Sequence, residues 1–165
     1  MIIKENRIDD RLIHGQVAIT CLQVTGAKAV LVIDDEAAKD EFQKSMLGLA
    51  CPNGIQLLVK TVEKGAALIK KDTSQVPVLV VIKNPDTARR LAENGYIPSR
   101  WTVGNISGKK SETERTQILR YCQPTQKDAA DLKAVSDMGC KVIAQIVPNE
   151  KEYDLIRLLE KEGML

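Results

Sequence analysis

Runs of aliphatic residues alternate along the chain with longer amphipathic segments. The aliphatic runs predict strands at 2–8, which is the weakest, and at 29–33, 55–59, 76–82, 97–103 and 142–147. Runs that are apolar at nearly every position are typical of strands covered on both faces. The segments between them predict helices over 15–24, 36–50, 62–71 and 84–94. Capping patterns at Thr125 and Asn149 predict two more helices, which end at Gly139 and Gly163.

This alternation is typical of an α/β protein, because strands separated by single helices form parallel sheets with right-handed crossovers. The 165 residues are about the length of one domain. We therefore expect residues 1–165 to form a single, doubly wound domain, with a mostly parallel sheet of about six to seven strands and helices on both faces. The polar stretch 107–116 predicts an exposed loop, followed by a short strand near 117–120.

Composition excludes several classes of function. The chain has one Trp, three Tyr and one Phe, too few for a stacking platform that binds single-stranded nucleic acid. Its formal net charge is +2 with both signs interspersed, unlike the basic patch of a nucleic-acid-binding protein. No stretch approaches the ~20 apolar residues of a membrane helix, and the N-terminus lacks a signal-peptide pattern. We expect a soluble, cytoplasmic protein.

The distribution of cysteine and histidine argues against a metal site. The four cysteines are scattered, none forms a Cys-x-x-Cys pair, and the chain has one histidine, so no zinc-binding spacing exists. We expect reduced, half-buried cysteines and neither a metal nor a cofactor. A dinucleotide enzyme is also disfavoured, because no Gly-x-Gly-x-x-Gly follows the first strand.

The densest group of polar residues follows the first strand, at the edge of the sheet where ligands bind in such folds. His14 lies there immediately before a predicted helix, whose first N–H groups, at Gly15 and Gln16, favour an anion. Arg11 supplies a planar cation that suits phosphate. Either Asp9 or Asp10 could orient the imidazole, which leaves its other nitrogen as a nucleophile. This set suits a transiently phosphorylated histidine; a polar turn with a packed histidine is the structural alternative.

Further polar residues near strand ends are candidates for contacts to a partner or to neighbouring loops. They are Arg7, Asp9, Asp34, Lys83 and Asn105. Two of them have a simpler interpretation: Asp34 with Asp35 as a solvated helix start, and Lys83 as an ordinary surface lysine. Lys109 and Lys110 either dock an acidic partner or lie in a solvated loop, and Trp101 is expected to pack in the core.

Residues 7–17 read Arg-Ile-Asp-Asp-Arg-Leu-Ile-His-Gly-Gln-Val. This segment resembles the signature of the IIB components of the mannose/fructose/sorbose family of the sugar phosphotransferase system. Three further segments are similar to segments of that family: 34–38, 83–85 and 103–105. The chain departs from the family in its first helix, where Trp is frequent, and at Asn105, where many members carry a second glycine.

The resemblance implies a doubly wound α/β fold and a phosphoryl carrier. Family members accept a phosphoryl group from a phosphohistidine of the IIA component, hold it on Nδ1 of their own histidine, and pass it to a sugar transported by the membrane components IIC and IID. The matching histidine is His14, and Arg11 matches the arginine of the loop. The implied activity is that of a protein-Nπ-phosphohistidine–sugar phosphotransferase, which associates peripherally with the membrane components. A homo-oligomer is compatible with the sequence.

The transported sugar is less determined. The Gly104-Asn105 pair resembles the branch that transports amino sugars, with N-acetylgalactosamine the first candidate. Asp10 instead matches the form common in the sorbose and fructose branches. Mannose, fructose and sorbose therefore stay open as alternatives.

Two other readings remain at this point. A receiver domain would also carry acidic residues after its first strand, but its phosphorylated aspartate should end the third strand, where this chain has Lys60. A non-enzymatic module that binds a small anion at the His14 loop would bind phosphate without becoming labelled.

Overall fold

The computed structural model describes residues 1–108 and 114–165. Across these residues the chain forms seven strands and six α-helices. The strands are β1 (Ile2–Asp9), β2 (Ala29–Ile33), β3 (Gln56–Lys60), β4 (Pro77–Ile82), β5 (Arg100–Asn105), β6 (Lys141–Ala144) and β7 (Tyr153–Asp154). The helices are α1 (Gly15–Thr25), α2 (Glu41–Ala50), α3 (Val62–Lys71), α4 (Pro85–Glu93), α5 (Gln126–Asp137) and α6 (Leu155–Lys161).

All seven strands form one sheet in the order β3-β2-β4-β1-β5-β6-β7. Every pairing is parallel except that of β6 with β7. From β1 the chain turns through α1 toward β2 on one side, whereas β5 lies on the other side of β1. Loops that leave neighbouring strands in opposite directions open a crevice at the carboxyl edge of the sheet. The loops after β1 and β5 border this crevice.

Two clusters of buried apolar side chains lie on opposite faces of the sheet. Leu31 and Ile33 of β2 belong to the cluster that includes residues of α3, α4, α5 and α6, whereas Val30 and Val32 belong to the cluster with α1 and α2. This alternation confirms the predicted α/β fold with helices on both faces. Trp101 packs as expected: it is 1% exposed and contacts Tyr96 edge to face.

The helix predicted over 36–50 is interrupted. A 3-10 turn spans Ala37–Lys39, and Asp40 is extended before α2 begins. The Asp40 carboxylate accepts hydrogen bonds from the N–H groups of Phe42 and Gln43, so it caps a new helix instead of continuing the first turn. Only Leu47 of α2 is buried.

The C-terminal region also differs from the prediction. Strand β6 ends at Ala144, and Tyr153–Asp154 pairs antiparallel with its last residues. This pairing leaves no room for a helix that begins after Asn149. Helix α6 begins at Leu155 instead, where Asp154 accepts a hydrogen bond from the Arg157 N–H.

The polar loop predicted at 107–116 lies partly outside the described residues, as do Lys109 and Lys110. Beyond it, the predicted strand at 117–120 is wrong, because the segment forms only isolated bridges, such as Leu119 with Cys122. Strand β5 begins at Arg100, after Pro98, and its last residue is Asn105.

Candidate functional site

His14 lies in a short loop between β1 and α1. Its backbone is extended, it occupies the N-cap position of α1, and its side chain makes no capping hydrogen bond. The residue is exposed. The imidazole is thus accessible at the N-terminus of a helix, where backbone N–H groups favour a negative charge.

The loop that carries His14 holds two residues in the left-handed backbone region. Gly15 has φ of 42° and Leu12 has φ of 59°. Glycine adopts this conformation readily, whereas a bulky residue such as leucine does so at a cost of about 1–3 kcal/mol. The Leu12 N–H donates to the Asp9 carbonyl, which closes a tight turn. The turn fixes the path of the chain from Arg11 to His14.

Both carboxylate oxygens of Asp9 accept hydrogen bonds from Arg11. Nε lies 2.9 Å from Oδ1 and Nη2 lies 3.1 Å from Oδ2, and the Arg11 backbone N–H also donates to Oδ1. Asp9 is 1% exposed, whereas a third of the Arg11 side chain is exposed. The hydrogen bonds that Arg11 donates to Asp9 raise the pKa of Arg11 above its usual value. A charged guanidinium is thus fixed beside the loop, and its hydrogen bonds to Asp9 use Nε and Nη2 but not Nη1.

Arg7 supports the same carboxylate from inside the protein. It is 3% exposed, and its Nη2 donates to the Ile146 carbonyl at 2.5 Å and to Asp9 Oδ2 at 3.4 Å. Its Nη1 lies 3.9 Å from Glu5. The guanidinium crosses β5 at Gly104, where a Cβ atom would lie 1.9 Å from Nη2. Gly104 therefore makes room for Arg7, and this buried arginine contacts loops within the chain instead of a partner.

Asp10 holds the segment that follows β5. Its carboxylate accepts hydrogen bonds from the Asn105 side chain, from the N–H and hydroxyl groups of Ser107, and from the Gly108 N–H. Burial opposes ionisation of Asp10, but the Gly108, Ser107 and Asn105 donors outweigh it and lower the pKa below its usual value. The loops after β1 and β5 are thereby joined at the crevice.

The expected role of Asp9 or Asp10 in orienting His14 therefore finds no support in the structure. Both carboxylates are engaged elsewhere, Asp9 with the two arginines and Asp10 with residues 105–108. Asn105 is 7% exposed, and its side-chain amide donates to Asp10 in the loop after β1.

Asp34 and Lys83 take separate positions. Asp34 is 6% exposed, and its carboxylate accepts a hydrogen bond from the Ala37 N–H, so it stabilises the 3-10 turn and is neither a partner contact nor a solvated helix start. Lys83 is partly exposed, and its amine lies 3.3 Å from Glu36. Of the candidates near strand ends, Lys83 is thus the one whose side chain can reach a partner.

A groove that the sequence did not predict runs beside the loop. One wall is formed by residues 10–13, the other by residues of α2, and Lys83 completes it; the α2 residues are Gln43, Met46, Leu47 and Ala50. We call this the α2 groove. Helix α2 reaches this position because the helix predicted over 36–50 is interrupted. The sequence predicted an uninterrupted helix and therefore did not indicate the groove.

The thiols are poor candidates for covalent chemistry. All four cysteines are free, and three are buried. Burial raises the pKa of Cys21 and Cys140 to about 11 and that of Cys122 to about 12, so these side chains are protonated at neutral pH. In the part of the chain that the structure describes, no three His, Cys, Asp or Glu side chains are grouped as a metal site. No helix described there is long and apolar enough to cross a membrane.

Replacement of Asp10 by Asn tests the junction of the two loops. An amide presents an NH2 group to the Ser107 and Gly108 donors, so we expect Asp10→Asn to lower the free energy of unfolding at pH 7 by about 1–2 kcal/mol; the value is modest because Asp10 is partly exposed. The folded-state pKa is below the unfolded value of about 3.9, so this stabilisation is present above that pH and is lost as the pH falls through the folded pKa.

The measurement is urea denaturation from pH 7 to pH 3. The difference between wild type and Asp10→Asn should narrow below about pH 4. Asp137→Asn, which removes an exposed carboxylate paired with Lys133 on α5, is the control and should change stability little. An Asp10→Asn protein as stable as wild type at pH 7 would contradict the proposed junction.

Comparison with known proteins shows the family of the chain. Residues 3–165 match the family model of the PTS system sorbose subfamily IIB component. The chain is 32% identical over 160 residues to the N-acetylgalactosamine-specific phosphotransferase enzyme IIB component 2 of Escherichia coli, which covers 93% of this chain and 96% of the relative. It is 30% identical to the mannose-specific EIIAB component of the same organism over 98% of this chain, and spans 50% of that longer protein.

A solved structure shows the same fold. The IIBSor domain of the sorbose permease from Klebsiella pneumoniae superposes with a TM-score of 0.88 over 98% of both chains, at 22% identity. The site also lies where the family model matches, since residues 9–16 fall within its span. The protein therefore belongs to the sorbose subfamily of IIB components of the phosphotransferase system, which are phosphotransferases.

Proposed function

We propose that His14 is the residue that carries the phosphoryl group. It accepts this group at Nδ1 from a phosphohistidine of a IIA component and transfers it to a sugar imported by the membrane components IIC and IID. The observation that carries this proposal is the position of His14: the one histidine of the chain is exposed at the N-cap of α1, in the loop where Asp9 fixes Arg11.

The transfer to His14 is an exchange of one P–N bond for another. The lone pair of the unprotonated Nδ1 attacks phosphorus, and the electron pair of the donor P–N bond returns to the donor imidazole. In the second step a sugar hydroxyl oxygen attacks phosphorus, the electron pair of the P–N bond returns to Nδ1, and the hydroxyl proton is released. Neither step needs an oxidant, a metal or a cofactor.

The surrounding groups supply positive charge where the phosphoryl oxygens lie in the transition state. Arg11 offers its Nη1 edge, and the N–H groups of Gly15 and Gln16 begin α1. Fixed donors of this kind stabilise developing charge without reorganisation. Asp9 positions Arg11 through two hydrogen bonds, and Arg7 positions Asp9 from the interior.

A IIA partner is supported by the mannose-specific EIIAB component, one half of whose length this chain matches. We propose that residues 1–165 act as a single IIB domain on the cytoplasmic side of the membrane, where the domain meets IIA and then, peripherally, the IIC and IID components. Two alternatives are weakened. The family match disfavours a receiver, and an anion-binding module is distinguished by the labelling experiment below.

For the sugar we propose an amino sugar, with N-acetylgalactosamine first. The 32% identity to the N-acetylgalactosamine-specific relative supports it, although the mannose-specific relative is nearly as similar. The Gly104-Asn105 pair acts inside the chain, since Gly104 accommodates Arg7 and Asn105 bonds Asp10. Its effect on sugar choice is therefore indirect. Mannose, fructose and sorbose are the alternatives.

Substitution of the acceptor tests the carrier role directly. Incubation with phosphoenolpyruvate, the general phosphotransfer proteins and IIA should label wild type at His14, and mass spectrometry under alkaline conditions locates the group. We expect His14→Gln to abolish labelling without a change in melting, because the exposed side chain makes no capping bond. Labelling that survives this change would refute the carrier role, and reversible phosphate binding without labelling would indicate an anion-binding module.

Arg11→Lys tests the transition-state role of the guanidinium. Lysine keeps the charge but loses the planar fork that Asp9 holds. We expect transfer from IIA to slow by about 10²-fold, as for loss of one oriented donor, while the folded structure stays intact. Arg120→Lys, on an exposed residue, is the control and should transfer at the wild-type rate. A wild-type rate in Arg11→Ala would rule out this role.

A membrane assay tests the sugar. Phosphorylated protein, membranes with the cognate IIC and IID, and each labelled sugar are combined, and formation of sugar phosphate is followed. We expect N-acetylgalactosamine or galactosamine to react fastest. Faster phosphorylation of mannose, fructose or sorbose would overturn the assignment of the sugar and leave the chemistry of His14 unaffected.

A further inference from the structure

We propose that the outer face of α2 is the surface on which the phosphorylated donor docks. This face consists of Phe42, Met46 and Leu49, which we call the α2 stripe. The inference rests on the proposed function, because it takes His14 as the acceptor and a phosphohistidine-bearing protein as the donor.

The α2 stripe is unusually apolar for an outer surface. Phe42 is 73% exposed, Met46 is 50% exposed and Leu49 is 82% exposed. Phe42 and Leu49 are the most exposed large apolar side chains of residues 1–108 and 114–165, and Phe42 is the one phenylalanine of the chain. Large aromatic and aliphatic side chains are normally buried, so their exposure together indicates a surface that another molecule covers.

The three residues lie on one side of the helix. Spacings of four and three residues place side chains on the same helical face. Leu47, the buried residue of α2, is one position beyond Met46, about 100° around the helix axis. The orientation that packs Leu47 into the core therefore directs the α2 stripe outward.

The α2 stripe is continuous with the loop between β1 and α1 that carries His14. Met46 belongs to the stripe and also lines the α2 groove, whose opposite wall is formed by residues 10–13. These are the four residues immediately before His14. A protein that rests on the stripe consequently covers the groove and reaches the loop, as a donor must for its phosphohistidine to approach the imidazole.

The charges at the groove favour binding of the phosphorylated donor over binding of the partner that accepts the phosphoryl group from His14. Arg11 and Lys83 both line it, as does Asp10, whose carboxylate is occupied by donors from residues 105–108. The N-terminus of α1 adds a partial positive charge. A phosphohistidine brings a doubly charged group comparable to other phosphoryl groups, which carry about −1.5 to −2. Before transfer, that charge lies on the donor and complements this surface. After transfer it lies on His14, so the attraction is lost and the donor is released.

The occupant we infer is therefore a IIA-type protein with an apolar patch next to its phosphohistidine. An interface of this kind is transient, since the donor must leave before the membrane components can reach His14. Transient interfaces are small, and a few central apolar residues carry most of their binding energy. Phe42 and Leu49 are the residues expected to do so here.

The experiment compares Phe42→Ala, Leu49→Ala and the double variant with wild type. Alanine favours helix and removes no buried side chain, so all three variants should fold and melt like wild type. Ile97→Ala is the matched control, because Ile97 is 49% exposed and precedes β5, at the edge of the sheet opposite His14.

Initial rates of phosphoryl transfer are measured against the concentration of phosphorylated IIA. We expect KM for the donor to rise about tenfold or more in the double variant, as for loss of an interfacial anchor, while kcat stays within about twofold because the loop is unchanged. Ile97→Ala should match wild type in both constants. Unchanged KM in the double variant overturns the proposal.

Other occupants give different results, and each of them also overturns it. If the membrane components cover the α2 stripe, transfer from IIA is normal and only formation of sugar phosphate slows. If a second copy of this chain covers it, sedimentation shows a dimer that the variants lose, with KM for the donor unchanged.

Binding of IIA to His14→Gln separates this proposal from the proposed function. His14→Gln should bind IIA, as followed by calorimetry, and addition of Phe42→Ala and Leu49→Ala should weaken that binding about tenfold. Wild type that is labelled at His14 but docks independently of the stripe refutes only the docking surface. Wild type that is never labelled at His14, yet binds IIA through the stripe, refutes only the carrier role.

Discussion

Arg11 is held by a carboxylate that lies almost entirely inside the protein. Asp9 is 1% exposed and accepts three hydrogen bonds from Arg11, two from its side chain and one from its backbone. A charge with so little access to water needs compensation, which Arg11 provides from outside and Arg7 from inside. The geometry of the loop that carries His14 follows from this arrangement, because the turn to His14 begins where Asp9 is fixed.

Compensation of Asp9 imposes requirements on the strands around it. Arg7 lies on β1, which pairs with β4 on one side and β5 on the other. Its guanidinium must therefore pass over a neighbouring strand. Gly104 provides that room on β5, and the Ile146 carbonyl beyond β6 accepts a hydrogen bond from Nη2. Breaking such a buried pair by removing one partner costs about 3–5 kcal/mol. The residues that position the site thus come from β1, from β5 and from the segment that follows β6, and they act as one unit.

The sequence was sufficient for the fold class and for the placement of His14 and Arg11 after the first strand. Aliphatic runs separated by helical segments predict a parallel sheet, and the carboxyl end of its first strand then locates His14 and Arg11. The partners of Asp9 and Asp10 could not be predicted, because they depend on which strands lie next to β1. Arg7 was a candidate for contacts to a partner or a neighbouring loop for the same reason: 2–8 was the weakest of the predicted strands, whereas β1 is central and Glu5, Arg7 and Asp9 are buried.

The break before α2 shows how a local capping hydrogen bond changes which side chains a helix exposes. The sequence predicts one continuous helix over 36–50, and Phe42, Met46 and Leu49 are among its apolar residues. Asp40 instead adopts an extended backbone and caps α2, and the restarted helix buries Leu47. The apolar residues then face outward beside the loop of His14. A protein that only stores a phosphoryl group has no use for such a face. A protein that must receive the group from one partner, and release that partner before meeting the next, needs an apolar surface for contact. It also needs a positive charge that attracts the phosphorylated donor and no longer attracts it once the phosphoryl group has been transferred. Met46 of the α2 stripe and Arg11 line the same groove, so the two features lie next to each other.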